Sequence, residues 1–341
     1  MTGLIPIITA VIGFAVTAAM GIFFIPFLKK IHFGQTILDI GPKWHKSKEG
    51  TPIMGGFMFM IGTFLALCIG FFLASVMPGG QQIIGEMASK DRLCQLIAGL
   101  VMALLMAGIG FMDDYIKAVK KQNLGLKASQ KTFLQLLVAA GYLLTMLLSG
   151  MKYTFLPFIG RVDLTSGLGL LFWPIALVFI YGFTNAVNLT DGVDGLATSV
   201  TFVVSLFYLV ATATLGYFGY NLAAAALIGS LVGFLVWNLH PAKVFMGDTG
   251  SMFLGGIVVA FAFAIERPVL LLLAGILYFA EAMSVVIQVA YYKRTKKRLF
   301  KMSPIHHHFE MSGWKENKIV VIFSLVALIG CIAAMLFIIF E

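Results

Sequence analysis

Two adjacent carboxylates close an apolar stretch of the sequence. Asp113 and Asp114 lie in the segment GFMDDYIK, directly after residues 93–112, where Gln95 is the only strongly polar side chain. Neighbouring side chains on a helix point about 100° apart, but at a helix end both can reach one bound cation. Hard carboxylate oxygens favour Mg²⁺, which usually takes one or two of them together with substrate phosphates. The pair therefore indicates a magnesium or phosphate site, and a solvated helix end is the simpler alternative.

Two glycine-rich segments later in the chain supply further oxygen ligands. NAVNLTDGVDGLA, residues 185–197, offers amides, a hydroxyl and carboxylates suited to ribose hydroxyls, base edges or metal-bound water, although Thr190 or Asp191 could simply cap a helix. In WNLHPAKVFMGDTGSMF, residues 237–253, GDTGS resembles a helix N-terminus, where free N–H groups meet anions. Asp248 could hold a cation there and Phe245 could stack on a base; plain helix capping by Asp248 is the alternative.

Lysines and histidines in two other segments could bind phosphate. GPKWHKSKEGTPIMGG, residues 41–56, contains three lysines, whose alternative role is to anchor the chain at a membrane surface. SPIHHHFEMSGWKEN, residues 303–317, contains His306, His307 and His308, and imidazoles near neutral pH bind phosphate or transfer protons. A transition-metal site and a solvated loop are the alternatives for the histidine run.

The composition determines which elements must position these segments. Of the 341 residues, 60% are hydrophobic and 11% are charged, with a mean hydropathy of +0.97, whereas an ordinary soluble chain is about one quarter charged. Continuous apolar runs, rather than short alternating segments, predict helices instead of a transmembrane barrel. We therefore expect an all-α integral membrane protein, in which residues 1–341 form a single domain, a bundle of about ten transmembrane helices.

Apolar windows of roughly 20 residues, enough to cross about 30 Å of hydrocarbon, recur along the chain. They predict spans at about 4–27, 53–77, 93–112, 132–150, 168–186, 196–216, 221–238, 250–265, 269–291 and 319–340. Alternate loops between these spans hold 19 of the 24 lysines and arginines, so the positive-inside rule places those loops in the cytoplasm and both termini on the extracytoplasmic side. All the polar segments described above belong to the cytoplasmic set. We therefore expect an active site formed by cytoplasmic loops.

The predicted spans are nearly free of ionisable groups, which argues against a transporter or lipid flippase. Proteins of those classes place ionisable groups near the bilayer midplane. Glu281 is the one ionisable residue well inside a predicted span, and we expect it to pack between helices with a hydrogen bond to Ser284 or Gln288; a direct role in chemistry is the alternative. Aromatic and basic residues do not interleave as nucleic-acid binding requires, so no nucleic-acid partner is expected.

Six motifs in fixed order resemble those of the phospho-N-acetylmuramoyl-pentapeptide transferase family, which acts in peptidoglycan synthesis. They are EGTPIMGG, GFMDDYIK, GLKASQK, NAVNLTDGVDG, PAKVFMGDTGS and PIHHHFE, and they extend over essentially the whole chain. The resemblance implies a Mg²⁺-dependent phosphotransferase in the bacterial cell (inner) membrane, with its active site facing the cytoplasm.

The same resemblance implies substrates and an assembly. UDP-N-acetylmuramoyl-pentapeptide and undecaprenyl phosphate would be converted to lipid I and UMP by a protein that is expected to be a homodimer. A related transferase that uses a different UDP-N-acetylhexosamine is the runner-up, which EGTPIMGG and PIHHHFE disfavour.

Roles for individual residues also follow from the resemblance. Catalysis is implied for Asp113, Asp114, Asp248 and His306, with Asp248 also holding the metal. Substrate binding is implied for Lys46, Thr51, Lys131, Asn188, Asp191, Asp194, Asn238, Phe245, His307 and His308. Ile53 and Val193 depart from the family pattern, where threonine and leucine are expected, but they leave the assignment intact.

The expected chemistry is the exchange of one phosphoanhydride for another. This reaction requires two phosphate groups to be held in line and their charges to be neutralised. A strong general base is not required, because the second pKa of the lipid phosphate is roughly 6. We expect direct attack of the lipid phosphate on the β-phosphorus, with Asp113 orienting or deprotonating the attacking group; a covalent phospho-aspartyl intermediate is the alternative.

Overall fold

The protein is a bundle of helices with one small hairpin, and the computed structural model describes residues 3–31, 48–120 and 124–340. The helices are α1 (Leu4–Lys30), α2 (Gly56–Val76), α3 (Gln81–Met87), α4 (Lys90–Lys120), α5 (Ala128–Leu148), α6 (Phe172–Thr190), α7 (Leu196–Leu215), α8 (Phe218–Asn238), α9 (Gly247–Ala264), α10 (Leu271–Ala274), α11 (Ile276–Thr295), α12 (Ile305–Glu310) and α13 (Glu316–Phe340). Between α5 and α6 lie the antiparallel strands β1 (Tyr153–Leu156) and β2 (Gly160–Asp163), and 3-10 turns occupy Gly167–Leu171 and Pro268–Leu270.

The outer surface of the bundle is apolar. Within the described residues, nine helices are long and apolar enough to cross a membrane, or ten if the bent pair Pro268–Ala274 and Ile276–Thr295 counts as one span. Exposed side chains such as Ile7, Phe23 and Ile329 cover their outward faces. In water such a continuous apolar surface would favour association, whereas lipid solvates it directly. The predicted all-α, multi-span membrane architecture is confirmed.

Helices α8 and α9 form the centre of the bundle. α9 packs against α4 and α6, while α8 packs against α1, α2 and α7, and almost every side chain of both helices is buried. Both helices are rich in alanine and glycine, and small residues let helix backbones approach closely inside a membrane. The first turn of α9, which carries Asp248, is therefore held by the most enclosed part of the fold.

The loops separate into two groups at opposite ends of the bundle. At one end the segments 51–56, 124–127, 188–195, 238–246 and 301–316 contact one another through the hydrogen bonds and close approaches described below. At the other end Phe155 N of the hairpin donates to Glu266 O over 2.9 Å, and Gly219 N donates to Glu86 Oε2 over 2.8 Å. The described parts of the polar segments singled out in the sequence thus meet at a single end.

The predicted end of the third span is wrong by about two helical turns. Because α4 continues to Lys120, Asp113 and Asp114 lie inside a helix and not at its end. Hydropathy underestimates the length of this helix, because the last turns of α4 are polar and extend beyond the apolar run. The predicted loop that follows the fifth span is also too long, because α6 includes Asn188 and ends at Thr190.

The ninth predicted span, 269–291, is broken. A bend of 82° separates Pro268–Ala274 from Ile276–Thr295, with Gly275 at the break. The bend sets the direction of α11, which packs against α12 and α13. The hairpin of β1 and β2 was not predicted either, because two strands of four residues are too short to give a periodic signal.

Candidate active site

Asp248 occupies the centre of the polar end of the bundle. Its Oδ2 lies 2.9 Å from Lys131 Nζ and 3.3 Å from Lys117 Nζ, and its Oδ1 accepts a hydrogen bond from Asn188 Nδ2 over 3.0 Å. The side chain is 22% exposed, whereas those of Asp113 and Asp114 are buried. An accessible carboxylate beside two ammonium groups can bind a cation and phosphate oxygens side by side.

Asp114 holds the first turn of α9. Its Oδ2 accepts hydrogen bonds from Thr249 N over 2.9 Å and from Thr249 Oγ1 over 2.7 Å, and its Oδ1 accepts one from Asp248 N over 3.2 Å. A carboxylate at a helix N-terminus satisfies free N–H groups and interacts favourably with the helix dipole. Asp114 therefore fixes the backbone of Asp248 itself.

Asp113 connects α4 to the segment that leads into α5. Its Oδ1 accepts a hydrogen bond from Leu126 N over 2.8 Å, and its Oδ2 lies 2.5 Å from Lys117 Nζ, one turn later on α4. Lys117 consequently bridges Asp113 and Asp248. The bond to Leu126 places the start of α5, and with it Lys131, next to Asp248.

Gly110 explains how two adjacent aspartates of α4 both reach α9. A Cβ at this position would collide with the backbone carbonyl of Asp248, so a glycine is needed for α4 to lie so close to the first turn of α9. Carboxylate oxygens of Asp113, Asp114 and Asp248 lie within 4.8 Å of one another. Three hard oxygen donors, one of them accessible, form a cluster that could hold a metal ion.

Asn188 and Asp191 approach the same centre from the end of α6. Asn188 Nδ2 donates to Asp248 Oδ1 over 3.0 Å and to Ser251 Oγ over 2.8 Å. Burial, together with the neighbouring carboxylates of Asp248 and Asp114, raises the pKa of Asp191 well above its ordinary value. A carboxyl group in such surroundings gains stability from any cation or hydrogen-bond donor brought close to it.

Asp194 belongs to a separate ion-pair network. Lys48 Nζ lies 2.7 Å from both Asp194 Oδ1 and Glu316 Oε2, while Asp194 Oδ2 accepts a hydrogen bond from Ala242 N over 3.0 Å and lies 3.0 Å from His240 Nδ1. Burial alone would lower the pKa of Lys48, but its hydrogen bonds to Asp194 and Glu316 leave that pKa raised. The ligating atoms of Asp194, His240 and Glu316 are close enough to share a cation. The ammonium group of Lys48 provides this positive charge to Asp194 and Glu316.

Asn238 is buried and fully engaged by neighbouring groups. Its Oδ1 accepts a hydrogen bond from Thr198 Oγ1 over 2.7 Å, and its Nδ2 donates to Val244 O over 3.0 Å. The side chain thereby fixes the turn between α8 and α9.

Phe245 lies where two of the sequence motifs pair through their backbones. Phe245 N donates to Pro52 O, and Gly55 N donates to Phe245 O, each over 2.8 Å. Thr51, directly before this pairing, is half-buried, as is Phe245. The two residues therefore lie side by side, whereas Lys46 lies outside the described residues.

The three consecutive histidines point in different directions. Their Nδ1 atoms have separate partners: Glu281 Oε2 at 3.1 Å from His306, Glu310 Oε2 at 2.6 Å from His307, and Lys301 N at 3.2 Å from His308. Such an arrangement does not place the three rings around one metal ion. His306 is fully buried, while His307 and His308 are half-buried.

The expected partner of Glu281 was wrong. Its carboxylate contacts His306, whereas Ser284 Oγ donates to the backbone carbonyl of Glu281 over 2.7 Å. Gln288 Oε1 instead accepts hydrogen bonds from Leu299 N and from the next residue, over 3.1 and 2.9 Å. Sequence spacing along α11 suggested local partners, and the true partner comes from a different helix.

The sequence interpretation did not single out Lys117 or Glu316, and it considered Lys48 only as one of three lysines that could bind phosphate or anchor the chain at a membrane surface. A signal for Lys117 was present, because it follows Asp113 by four residues, the spacing of facing side chains on a helix. No comparable signal existed for the contact between Lys48 and Glu316, since the two residues are far apart along the chain and only the fold brings Lys48 Nζ against both Asp194 and Glu316.

Comparison with known proteins relates this arrangement to a family. The sequence model of Glycosyl transferase family 4 matches residues 96–266, the part of the chain from α4 to the end of α9. The matched region contains Asp113, Asp114, Asn188 and Asp248.

Relatives with a shared name are similar over nearly the full length. A phospho-N-acetylmuramoyl-pentapeptide-transferase of Carboxydothermus hydrogenoformans is 44% identical over 326 residues, 93% of this chain and 94% of the relative. Proteins of the same name from Clostridioides difficile and Acetivibrio thermocellus are 42% and 41% identical, covering 94% of this chain in both cases and 94% and 92% of the relatives.

Proposed function

The chain belongs to the phospho-N-acetylmuramoyl-pentapeptide transferase family, and we propose that it transfers phospho-N-acetylmuramoyl-pentapeptide from UDP to undecaprenyl phosphate. The products would be lipid I and UMP, in a step of peptidoglycan synthesis. The observation that carries this proposal is the placement of Asp248, Lys117 and Lys131 at one end of an apolar helix bundle. At such an end, a soluble nucleotide and the phosphate of a membrane lipid can meet.

The two lysines meet the main electrostatic demand of the reaction. The donor diphosphate and the lipid phosphate are both anions, so bringing them into line requires positive charge. Lys117 Nζ and Lys131 Nζ lie 3.3 and 2.9 Å from the same oxygen, Asp248 Oδ2. Ammonium groups form strong, charge-assisted hydrogen bonds with phosphate oxygens. We assign phosphate binding to this pair of lysines.

The carboxylates of Asp113, Asp114 and Asp248 fit a magnesium ion. They supply hard oxygen atoms within 4.8 Å of one another, and Asp248 is the accessible member of the group. Asp248 would hold the ion, with water and substrate phosphates as the remaining ligands. A bound Mg²⁺ would supply charge neutralisation at the diphosphate.

Direct transfer is the mechanism that the hydrogen bonding supports. The bond from a lipid phosphate oxygen to the β-phosphorus forms as the bond to UMP breaks. Asp113 and Asp114 are buried, and the oxygens of each already accept hydrogen bonds or contact an ammonium. A covalent aspartyl phosphate would require these contacts to break first. Asp113 orients the attacking phosphate through Lys117, and no strong base is needed because the second pKa of a phosphate is roughly 6.

The polar end of the bundle is proposed to face the cytoplasm. By sequence, the set of alternate loops to which the segments of this end belong holds 19 of the 24 lysines and arginines, the asymmetry that the positive-inside rule associates with the cytoplasmic side of a membrane. In this orientation the nucleotide donor reaches the site from the cytosol.

UMP release tests the proposed function. Purified protein in detergent is expected to release UMP when UDP-N-acetylmuramoyl-pentapeptide, undecaprenyl phosphate and Mg²⁺ are all supplied. Turnover of UDP-N-acetylglucosamine alone would favour the related transferase instead, and a folded protein that turns over neither donor would refute the transfer. Phosphorylated protein recovered after incubation with donor alone would overturn the direct route.

Replacing Lys117 with methionine is expected to lower the transfer rate about 10- to 100-fold, because one of the two cations next to Asp248 is lost while the chain length of the side chain is nearly kept. UMP release measures the effect. Lys120→Met is the matched control, since Lys120 is exposed on the last turn of the same helix and should retain the wild-type rate. Equal rates for Lys117→Met and Lys120→Met would remove Lys117 from the site.

A further inference from the structure

Glu281 and His306 form a buried pair between two helices. Glu281 lies in α11 and His306 in the first turn of α12, and both side chains are enclosed. Glu281 Oε2 lies 3.1 Å from His306 Nδ1 and 3.4 Å from His306 N. The carboxylate thus contacts both the ring and the backbone of one histidine, which restrains its position and the rotation of its ring.

The charge balance of this pair bears on the number of protons that it holds. Among the described residues no lysine or arginine forms an ion pair with Glu281, and a buried carboxylate without a compensating charge is strongly unfavourable. The pair is neutral if one proton lies between Oε2 and Nδ1 and another is bound to Nε2. This holds whether the first proton is nearer to the carboxylate or to the ring. His306 then presents an N–H group at Nε2.

His306 Nε2 has no hydrogen-bond partner among the described residues, although it is buried. It is directed at Gly192, in the turn between α6 and α7, where a Cβ would collide with Nε2. Asp191, the neighbour of Gly192, has a carboxyl group close enough to Asp248 and Asp114 to interact electrostatically with both. The unpartnered donor is therefore directed at the turn that borders the proposed transfer site.

We propose that Glu281 is a positioning residue that keeps His306 protonated at Nε2 and turned toward the Gly192 turn, where Nε2–H donates to an oxygen of the sugar-nucleotide donor. The chemical class of the acceptor is an anionic phosphate oxygen, because a ring that shares its Nδ1 proton with a carboxylate has imidazolium character, and its remaining N–H group forms a charge-assisted hydrogen bond with an anion. This inference rests on the proposed function, since it names a contact made by the same donor substrate.

A purely structural role accounts for the pair of Glu281 and His306 less well than a role in substrate binding does. Ser284 and Gln288, the other buried polar residues nearby on α11, have their side-chain groups bonded to backbone atoms. Glu281 Oε1 and His306 Nε2 instead both remain without partners among the described residues. An apolar pair of similar size would fill this space without leaving two buried polar atoms unsatisfied.

A double-mutant cycle tests the proposal through donor binding. The four proteins are wild type, Glu281→Gln, His306→Asn and the double variant, and the probe is UDP-N-acetylmuramoyl-pentapeptide titrated by calorimetry in detergent. Asparagine keeps a polar group near the position of Nδ1 and lacks one at Nε2. Glu281→Gln is expected to weaken donor binding about tenfold, because the carboxylate charge behind the ring is removed. In the His306→Asn background the same substitution should change donor affinity less than twofold, while the KM for undecaprenyl phosphate stays near wild type in Glu281→Gln.

Ser284→Ala is the matched control, because Ser284 is buried one turn from Glu281 and its hydroxyl donates to the backbone carbonyl of Glu281 and not to His306. It should keep wild-type donor affinity, and thermal unfolding of each variant shows whether the bundle is intact. Equal effects of Glu281→Gln in the two backgrounds would overturn the proposal, as would unchanged donor affinity in folded Glu281→Gln. A wild-type protein that binds no donor would instead contradict the proposed function.

Discussion

Replacing Asp248 with asparagine is expected to reduce transfer about 10³-fold while the helices stay folded. The substitution keeps the size of the side chain and an oxygen that can accept the hydrogen bond from Asn188. It removes the negative charge that faces Lys117 and Lys131 and the carboxylate proposed to hold Mg²⁺. UMP release at saturating donor and acceptor measures the fall in kcat.

The Asp248 prediction has a control at the other end of the bundle and a second measurement on the same variant. Asp163→Asn changes an exposed carboxylate on β2, at the other end of the bundle, and should leave the rate unchanged. The concentration of Mg²⁺ needed for half-maximal activity should rise in Asp248→Asn if any activity can be measured. A folded Asp248→Asn protein with a wild-type rate would show that neither the metal nor the transfer depends on this carboxylate.

Replacing Asp114 with alanine is expected to have the largest effect on stability. Asp114 is 3% exposed, and its carboxylate accepts three hydrogen bonds from Asp248 N, Thr249 N and Thr249 Oγ1. Its removal leaves two N–H groups at the start of α9 without their acceptor, and the buried one, Thr249 N–H, costs about 1–3 kcal/mol. We expect a clear fall in the midpoint of thermal unfolding together with loss of UMP release, because Asp248 lies in the turn that is released.

Thr249→Val separates the stability contributed by the hydroxyl hydrogen bond from that contributed by the two backbone hydrogen bonds. It removes only the hydroxyl donor and retains both backbone hydrogen bonds to Asp114, so its unfolding midpoint should lie between those of wild type and Asp114→Ala. Normal thermal stability in an inactive Asp114→Ala protein would show that the carboxylate acts on substrate and not as the cap of α9.

The sequence predicted which segments meet better than it predicted their contacts. The pair Asp113 and Asp114 lies beside Asp248 at the polar end of the bundle, yet its explanation as a helix end was wrong, since α4 continues to Lys120. A hydropathy window ends where polar residues begin, whereas hydrogen bonding continues a helix into water. Lys117 was missed for the same reason, because it was assigned to a loop in which a four-residue spacing has no geometric meaning.

The histidine run shows a second limit of inferring contacts from sequence. Three adjacent imidazoles suggest one shared role, and the structure gives them three separate partners at Glu281, Glu310 and Lys301. Neighbours in a short helix must point in different directions, so the surrounding elements decide what each ring contacts. Glu281 was expected to form a hydrogen bond within its own helix. The bend at Gly275 sets the direction of α11 and thereby contributes to the contact between α11 and α12.

The sequence by itself determined that this protein is a helical membrane bundle, which polar segments are candidates for its chemistry, and which family motifs it contains. These properties depend on composition, on apolar runs of membrane length and on local order along the chain. The tertiary structure alone decided that Asp114 caps the helix bearing Asp248, that Lys117 bridges two aspartates, and that Glu281 faces His306. Those contacts require close packing of α4 on α9 and of α11 on α12. The distance between two helices is set by residues that are far apart in sequence, such as Gly110, whose missing Cβ lets α4 approach Asp248.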